Sequence, residues 1–216
     1  MGIAGNDRGM GAEAKAEDLR FLEIEHKFLV PPAYDPEVLF AMLRTERVQK
    51  HYRTEVQDTY YLVAHPSHVV YRHRLDASLQ QLTLKSLAGD NETRTEINLD
   101  LNLAPGDQGQ AITAFLAKQG LLWSGTLFKS LEVFYFDDAE VCFYRARFDG
   151  DHVACIEIEA RGHTSIGSAQ AALARWEKRL GLDPHQRCRS SLLELLLLPH
   201  LPDELRGRLQ NLLSSS

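Results

Sequence analysis

Acidic and basic residues recur at alternate positions in several short stretches of this sequence. In an extended strand residues i and i+2 point to the same face, so Glu23, Glu25 and Lys27 share one face, as do Glu157 and Glu159 near the other end of the chain. Further charged residues with this spacing are Arg72, Arg74, Lys85, Arg94, Glu96, Arg145, Arg147 and Arg161. Such a set suits a ligand that carries both signs. Phosphate oxygens accept charge-assisted hydrogen bonds from Arg and Lys, and carboxylates bind hard cations such as Mg²⁺ or Mn²⁺.

The opposite faces of the same stretches are apolar, as with Ile24 and Phe28 in the first of them. Two arrangements of the strands can bury the apolar faces and accommodate the charged ones. An open antiparallel sheet buries its apolar face under helices and leaves the charges in water. A sheet that closes into a barrel encloses the charges, and eight strands are enough for closure. The grouping of acids on the first and last strands, with bases between them, favours the barrel.

Period-two and helical patterns predict one α+β domain over residues 19–216, after a flexible leader over residues 1–18. The predicted strands are Leu19–Val30, His51–Val63, Val69–Leu75, Gln80–Ser86, Glu92–Leu101, Leu122–Phe136, Val141–Phe148 and His152–Ala160. The predicted helices are Asp35–Gln49, Gln110–Gln119, Ser168–Leu180, Arg187–Leu198 and Pro202–Leu213. The strands form mostly antiparallel hairpins, and the helices are inserted between and after them.

Composition narrows the class of protein. The chain has 216 residues with 24 Lys and Arg against 30 Asp and Glu, a formal net charge of −6. This balance argues against a nucleic-acid coat or an anionic membrane as partner, and no apolar run reaches the length of a membrane span. Three cysteines, an odd number without a CxxC pair, fit a reduced compartment. We therefore expect a cytoplasmic protein.

The charged stretches, taken in order, resemble the motifs of the CYTH superfamily, the triphosphate tunnel metalloenzymes. The first stretch reads Glu23-Ile24-Glu25-His26-Lys27, like the hallmark ExExK of that family. The RxR, TLK, RxE and late ExE strands are matched in turn by Val70–Arg74, Leu82–Lys85, Arg94–Asn98 and Ile156–Glu159. Five motifs in the expected order make a specific signal. The resemblance implies a closed eight-stranded, mostly antiparallel barrel, or tunnel, with helices packed outside it.

The resemblance also implies roles for the charged residues. The acids expected around divalent metal sites, Mg²⁺ or Mn²⁺, are Glu23, Glu25, Glu157 and Glu159. The bases expected on the phosphates are Lys27, Arg72, Arg74, Lys85, Arg94 and Lys129, to which we add Arg145 and Arg147 as inward residues. The residues expected to take part in catalysis are Glu23, Glu25, Lys27 and Glu96.

The implied activity is metal-dependent hydrolysis of a triphosphate, with inorganic triphosphate giving pyrophosphate and phosphate. One alternative is an organic triphosphatase, for thiamine triphosphate or a nucleotide, or an adenylyl cyclase. Another is a tunnel that binds polyphosphate or nucleotide without hydrolysing it. Leu131 and Arg145 motivate this last reading, because they stand where the family pattern has a basic and an acidic residue.

Two expectations concern the whole molecule. The inward set holds nine bases and five acids, so the interior should carry a charge of +4 and the rest of the chain −10. A small polyanionic substrate would then enter a cationic tunnel. The leucine-rich run Leu192–Leu198 should be buried, either under the barrel or in the interface of a homodimer.

Overall fold

The computed structural model describes residues 19–65, 68–87 and 91–214, so the predicted leader, residues 1–18, lies outside the described residues. The strands are β1 (Leu22–Val30), β2 (Lys50–Val63), β3 (Val69–Leu75), β4 (Gln80–Ser86), β5 (Thr93–Asp100), β6 (Leu121–Tyr135), β7 (Ala139–Phe148) and β8 (Asp151–Ala160). The α-helices are α1 (Pro36–Arg44), α2 (Gly109–Ala117), α3 (Ile166–Leu180) and α4 (Asp203–Ser214).

The eight strands form a closed barrel in the order β1-β5-β4-β3-β2-β6-β7-β8, and every neighbouring pair is antiparallel. The predicted fold class is confirmed. Closure pairs the first strand with both β5 and β8, and it brings the two acidic stretches side by side. Glu25 lies opposite Glu159, and Lys27 lies opposite Glu157.

The apolar faces of β1, β7 and β8 point outward and are covered by helices. Ile24, Phe28 and Ile158 belong to one outer core, which α1 and α3 complete through Phe40 and Trp176. Ser165 caps the start of α3 with a hydroxyl that accepts from the Ser168 N–H, and Gly181 caps its end in the left-handed conformation (φ 68°). A second small core lies under α2. The barrel wall is therefore packed on the outside, and its charged faces are left for the interior.

The segment after α3 differs from its prediction. Residues 187–198 do not form one helix; only Leu193–Leu197 make a short π-helical turn. The extended part is held against β1, because the Cys188 N–H donates to the Lys27 carbonyl at 2.7 Å and Arg187 forms an isolated bridge with Phe28. These contacts satisfy backbone groups that a helix would otherwise use. Leu193, Leu196 and Leu197 are buried within the chain, the first of the two alternatives.

Among the described residues no helix combines the length and the apolar character needed to cross a membrane.

Candidate active site inside the barrel

The barrel encloses a cavity of about 350 Å³ lined mainly by the charged faces of the strands. Residues Ser191, Leu192 and Leu193 of the C-terminal segment line it at one end, together with Leu213 of α4. The side chains that line the cavity are more exposed toward the other end. The side chain of Lys27 is 4% exposed, whereas that of Arg161 is 45% exposed. The cavity is therefore covered at one end by the C-terminal segment and open near Arg161.

One wall of the cavity, formed by β1, β8 and β7, is rich in acids. Register places Glu25, Glu159 and Glu140 side by side across these three strands. Lys27 lies between two acids of this wall, with its Nζ 3.5 Å from Glu25 Oε1 and 3.1 Å from Glu157 Oε1. We call this the acidic wall.

Crowding of carboxylates raises the proton affinity of this wall. Burial and the nearby Glu157 and Glu23 raise the pKa of Glu25 to about 7, although Lys27 and Arg94 act in the opposite direction. Burial, Glu140 and Glu23 raise the pKa of Glu159 well above its usual value. The acidic wall thus holds more carboxylates than its own bases neutralise.

Glu23 is the best-compensated of these acids. Its carboxylate lies 3.0 Å from Lys85 Nζ and 2.5 Å from Arg94 Nε. Burial opposes ionisation, but these two cations outweigh it and hold the pKa of Glu23 well below its usual value. Arg94 also reaches Glu25 at 3.0 Å, so it links β5 to the acidic wall. Glu96 contacts the same Lys85 at 2.5 Å.

The opposite wall, formed by β2, β3 and β6, is basic. Arg72, Arg74 and Lys129 lie on it, with one carboxylate, Asp58, among them. Arg72 donates to Thr83 Oγ1 at 3.1 Å and to Glu96 at 3.5 Å, while its Nε has no hydrogen-bond partner among the described residues. We call this the basic wall; it offers donors to an anion in the cavity.

The acidic wall fits a divalent cation by chemistry and by charge. Its donors are carboxylate oxygens, which hard cations prefer, and its acids outnumber its bases, with Glu25, Glu140, Glu157 and Glu159 beside Lys27 and Arg161. Within the described part of the chain, no three His, Cys, Asp or Glu side chains are already gathered at metal-binding distance. Cation binding would therefore draw the carboxylates of Glu25, Glu157 and Glu159 together from their present ion pairs.

Most of the predicted site residues meet in this cavity. Those that line it are Glu23, Glu25, Lys27, Arg72, Arg74, Lys85, Arg94, Glu96, Lys129, Glu157 and Glu159. Arg161 lies near the open end, where it pairs with Glu140 at 3.1 Å and Glu159 at 3.7 Å. Leu131, the departure from the basic pattern, also lines the cavity.

The expectation that Arg145 and Arg147 face the interior is wrong. Both side chains are exposed outside the barrel and lie over aromatic rings of the outer face, Phe143 and Phe128, at 4.9 and 4.8 Å. The register of β7 against β8 decides this, because cross-strand partners share a face and Cys142 lies opposite Glu157. The inward positions of β7 are therefore the even-numbered ones, including Glu140 and Tyr144. Arg145 replaces no inward acid.

The predicted cationic interior is also wrong. Asp58 and Glu140, which the sequence reasoning missed, lie inside, and the two arginines of β7 lie outside. Among the described residues this gives seven acids and seven bases in the interior, so their formal charges cancel. These acids are Glu23, Glu25, Asp58, Glu96, Glu140, Glu157 and Glu159, and the bases are Lys27, Arg72, Arg74, Lys85, Arg94, Lys129 and Arg161. The cavity separates charge between two walls, and it carries no net excess.

A closed antiparallel barrel with opposed acidic and basic walls defines a class of tunnel proteins suited to an anion and a cation together. Residues 22–187 match the CYTH domain, and the chain belongs to the CYTH domain family.

Solved structures share this fold. PH1012 from Pyrococcus horikoshii is 18% identical with a TM-score of 0.65, over 81% of this chain and 99% of that protein. A conserved hypothetical protein from Pyrococcus furiosus is 22% identical with a TM-score of 0.63, over 81% of this chain and 99% of the other. HpAC1 from Hippeastrum, described as having a dominant triphosphatase activity, is 15% identical with a TM-score of 0.55, over 85% and 98% of the two chains. No curated protein matches the chain.

Proposed function

We propose that this protein hydrolyses a triphosphate inside its barrel with the help of a divalent cation, Mg²⁺ or Mn²⁺, and that inorganic triphosphate is its substrate. The observation that carries the proposal is the opposition of the two walls across one cavity. An anion with several phosphates can contact the basic wall and, through a cation, the acidic wall. HpAC1, which has the same fold, is described as a triphosphatase, and this adds support.

The basic residues bind and orient the substrate. Arg72, Arg74 and Lys129 supply N–H donors from the basic wall, and Lys85 and Arg94 supply them from β4 and β5. Their charges neutralise the negative charge that builds on phosphoryl oxygens in the transition state. Because these cations are already held by Asp58, Glu23 and Glu96, little reorganisation is needed when the substrate enters.

The acidic residues hold the cation and accept a proton. Glu23, Glu25, Glu157 and Glu159 supply the carboxylates that would hold a divalent cation, which would supply Lewis-acid charge beside the phosphates and lower the pKa of a water. The attacking water must lose a proton, and Glu25 and Glu96 are the candidate acceptors. The pKa of Glu25, about 7 in the protein without a cation, would suit a general base at neutral pH. A cation bound to Glu25 would lower this pKa, and Glu96 is then the acceptor.

Substitution of Glu25 tests the proposal. We expect Glu25→Ala to lower phosphate release from inorganic triphosphate at least about 100-fold in Mg²⁺ or Mn²⁺, because it removes a cation ligand and a proton acceptor. Glu55→Ala, an exposed acid on the outer face of β2, is the matched control and should keep wild-type turnover. Wild-type-like turnover in Glu25→Ala would defeat the metal assignment.

An organic triphosphate is the second candidate, because part of the cavity lining is aromatic. The rings of Tyr52 and Tyr135 are stacked, with centroids 6.0 Å apart, and both line the cavity near Arg161. Turnover of thiamine triphosphate and ATP, measured beside inorganic triphosphate and pyrophosphate in the same assay, separates the candidates. Pyrophosphate released with cyclic AMP from ATP would indicate cyclisation, and tight binding without turnover would indicate a binding tunnel.

A further inference from the structure

Asp58 is a fully buried carboxylate that holds two cations of the basic wall. Its side chain has no exposed surface. Arg74 donates to it through Nε and Nη2, each at 2.8 Å, and Lys129 Nζ lies 2.6 Å from Oδ2. The fork of Arg74 fixes the plane of the carboxylate, and Lys129 contacts the same oxygen, Oδ2, as Arg74 Nη2. Asp58 contacts Arg74 and Lys129, and both of these residues line the cavity.

The basic wall has three cations close together and one carboxylate. Arginine keeps its proton in proteins, whereas a buried lysine can lose it, so Lys129 is the titratable member of this group. The charged groups that act on it come from every side: Asp58 on β2, Arg72 and Arg74 on β3, and Glu157 on β8. The Tyr144 ring of β7 lies 5.5 Å from Lys129 Nζ. The charge of Lys129 also acts to lower the pKa of the Cys142 thiol on the same strand, against the larger effect of burial.

We propose that Asp58 is the positioning residue of the basic wall, and that a polyphosphate bound there draws a proton onto Lys129, whose charge Asp58 sustains in the free protein. The inference rests on the proposed function for the choice of ligand. It concerns binding, however, and it can be tested without turnover.

The charges around Lys129 explain why polyphosphate binding and protonation of this residue are linked. Burial and the two arginines lower the pKa of Lys129 to about 8, against the opposing effect of Asp58. Near pH 8 about half of the molecules therefore lack this proton. A polyanion at the basic wall favours the charged ammonium and raises its pKa, so binding takes up the missing proton.

Calorimetry measures the proton directly. Inorganic triphosphate is titrated into the protein in EDTA at pH 8, in two buffers of different ionisation enthalpy, and the difference gives the number of protons taken up. We expect the wild type to take up roughly half a proton more than Lys129→Arg, which is always charged. The exposed Lys178→Arg is the matched control and should agree with the wild type. Equal proton numbers in wild type and Lys129→Arg, or no binding by the wild type, would overturn the proposal.

Asp58→Asn tests the positioning residue. Without the carboxylate the pKa of Lys129 should fall further, so the affinity at pH 8 should drop about 10-fold or more. It should recover toward pH 6.5, where Lys129 regains its proton, and the double variant Asp58→Asn/Lys129→Arg should lose this extra pH dependence. Asp100→Asn, an exposed acid that accepts from Gln81, is the control.

A merely structural role for Asp58 predicts a loss of affinity that is equal at both pH values and unchanged by Lys129→Arg, and that result would contradict the proposal. If Asp58→Asn does not fold, as judged by circular dichroism, the comparison of wild type with Lys129→Arg still decides the proton linkage. If the wild type binds triphosphate with the expected proton number but does not hydrolyse it, the proposed function fails while this inference stands.

Discussion

Glu25 is the residue on which the proposed cation site chiefly depends. It is 6% exposed and contacts Lys27 and Arg94, yet burial, Glu157 and Glu23 raise its pKa to about 7. Burial and the neighbouring carboxylates together thus outweigh the effect of the two nearby bases on the pKa of Glu25. The proposed divalent cation would relieve this crowding, so the same carboxylates that disfavour ionisation of Glu25 would favour cation binding.

The same crowding makes Glu25→Gln a stabilising change at high pH. The pKa of Glu25 in the folded state lies above its ordinary value of 4.5, so the folded state binds the proton more tightly than the unfolded chain. The stability gained by this proton is complete below about pH 4.5 and is lost as pH rises through about 7. In EDTA we expect Glu25→Gln to raise Tm at pH 8 by about 2–6 °C over wild type, with no difference near pH 4.5.

Thermal unfolding followed by circular dichroism at the two pH values makes the comparison, with Glu55→Gln as the control. A lower Tm for Glu25→Gln at pH 8 would show that its ion pairs with Lys27 and Arg94 outweigh the crowding. The expected result would also separate function from folding, because the variant would be more stable and still inactive.

At the scale of the element, period-two alternation predicted the strands well and their inward faces unevenly. In β1 one face is charged and the other almost wholly apolar, so the facing of Glu23, Glu25 and Lys27 could be read from the sequence. In β7 both faces carry large side chains, with Phe143 and Arg145 on one and Cys142 and Tyr144 on the other. Only the register with β8 distinguishes them, and register depends on long-range pairing that a single sequence does not display.

Asp58 was missed for a related reason. Strand β2 alternates weakly: Arg53, Glu55 and Gln57 are exposed on one face, while the other face holds Val56 and Asp58. Nothing local distinguishes a buried acid from the exposed polar residues beside it. Its role depends on Arg74 and Lys129, which are 16 and 71 positions away and come into contact with it only when the barrel closes.

A buried carboxylate on α3, that of Glu177, links the C-terminal segment to the barrel. Glu177 is 1% exposed and accepts from Arg187 Nε and Nη2 at 2.6 and 2.7 Å, and His26 Nδ1 lies 2.7 Å from it. His26 is the polar exception on the outer face of β1, between Glu25 and Lys27. These contacts hold the extended residues that cover one end of the cavity.

We expect Glu177→Gln to loosen that segment, because it removes the charge of the closest acid to Arg187, a partly buried side chain that is then left with Glu92 at 3.9 Å. The exchange of the Cys188 amide hydrogen, which donates to the Lys27 carbonyl, should speed up at least about 10-fold. Glu46→Gln is the matched control. It breaks a partly exposed ion pair with Arg179, which lies on α3 like Glu177, and it should change the exchange rate of the Cys188 amide little. Unchanged protection of Cys188 would mean that backbone pairing with β1 holds the segment by itself.

For the whole molecule, the interior attracts a polyanion through its basic wall and not through a net positive charge. The seven acids and seven bases of the interior cancel, so the net charge of −6 belongs to the rest of the chain. A polyanion approaching from a distance therefore meets a negative protein, and attraction begins only when it reaches the basic wall. Binding should depend on short-range contacts inside the barrel more than on long-range steering.

This distribution predicts an unusual response to salt. An interior with a charge of +4 would steer triphosphate inward, and kcat/KM would fall about 10-fold between 20 and 200 mM ionic strength. With a balanced interior and an acidic exterior, added salt screens mainly repulsion, because buried pairs are screened much less than exposed charges. We therefore expect kcat/KM for triphosphate to stay within about two-fold or to rise over this range. Initial rates in sodium chloride and in potassium acetate, at a fixed free Mg²⁺ concentration well below saturation, separate screening from specific ion effects. A steep fall of kcat/KM in both salts would contradict the prediction. It would mean that the interior carries a net positive charge, because a cation neutralises the acidic wall before the substrate arrives.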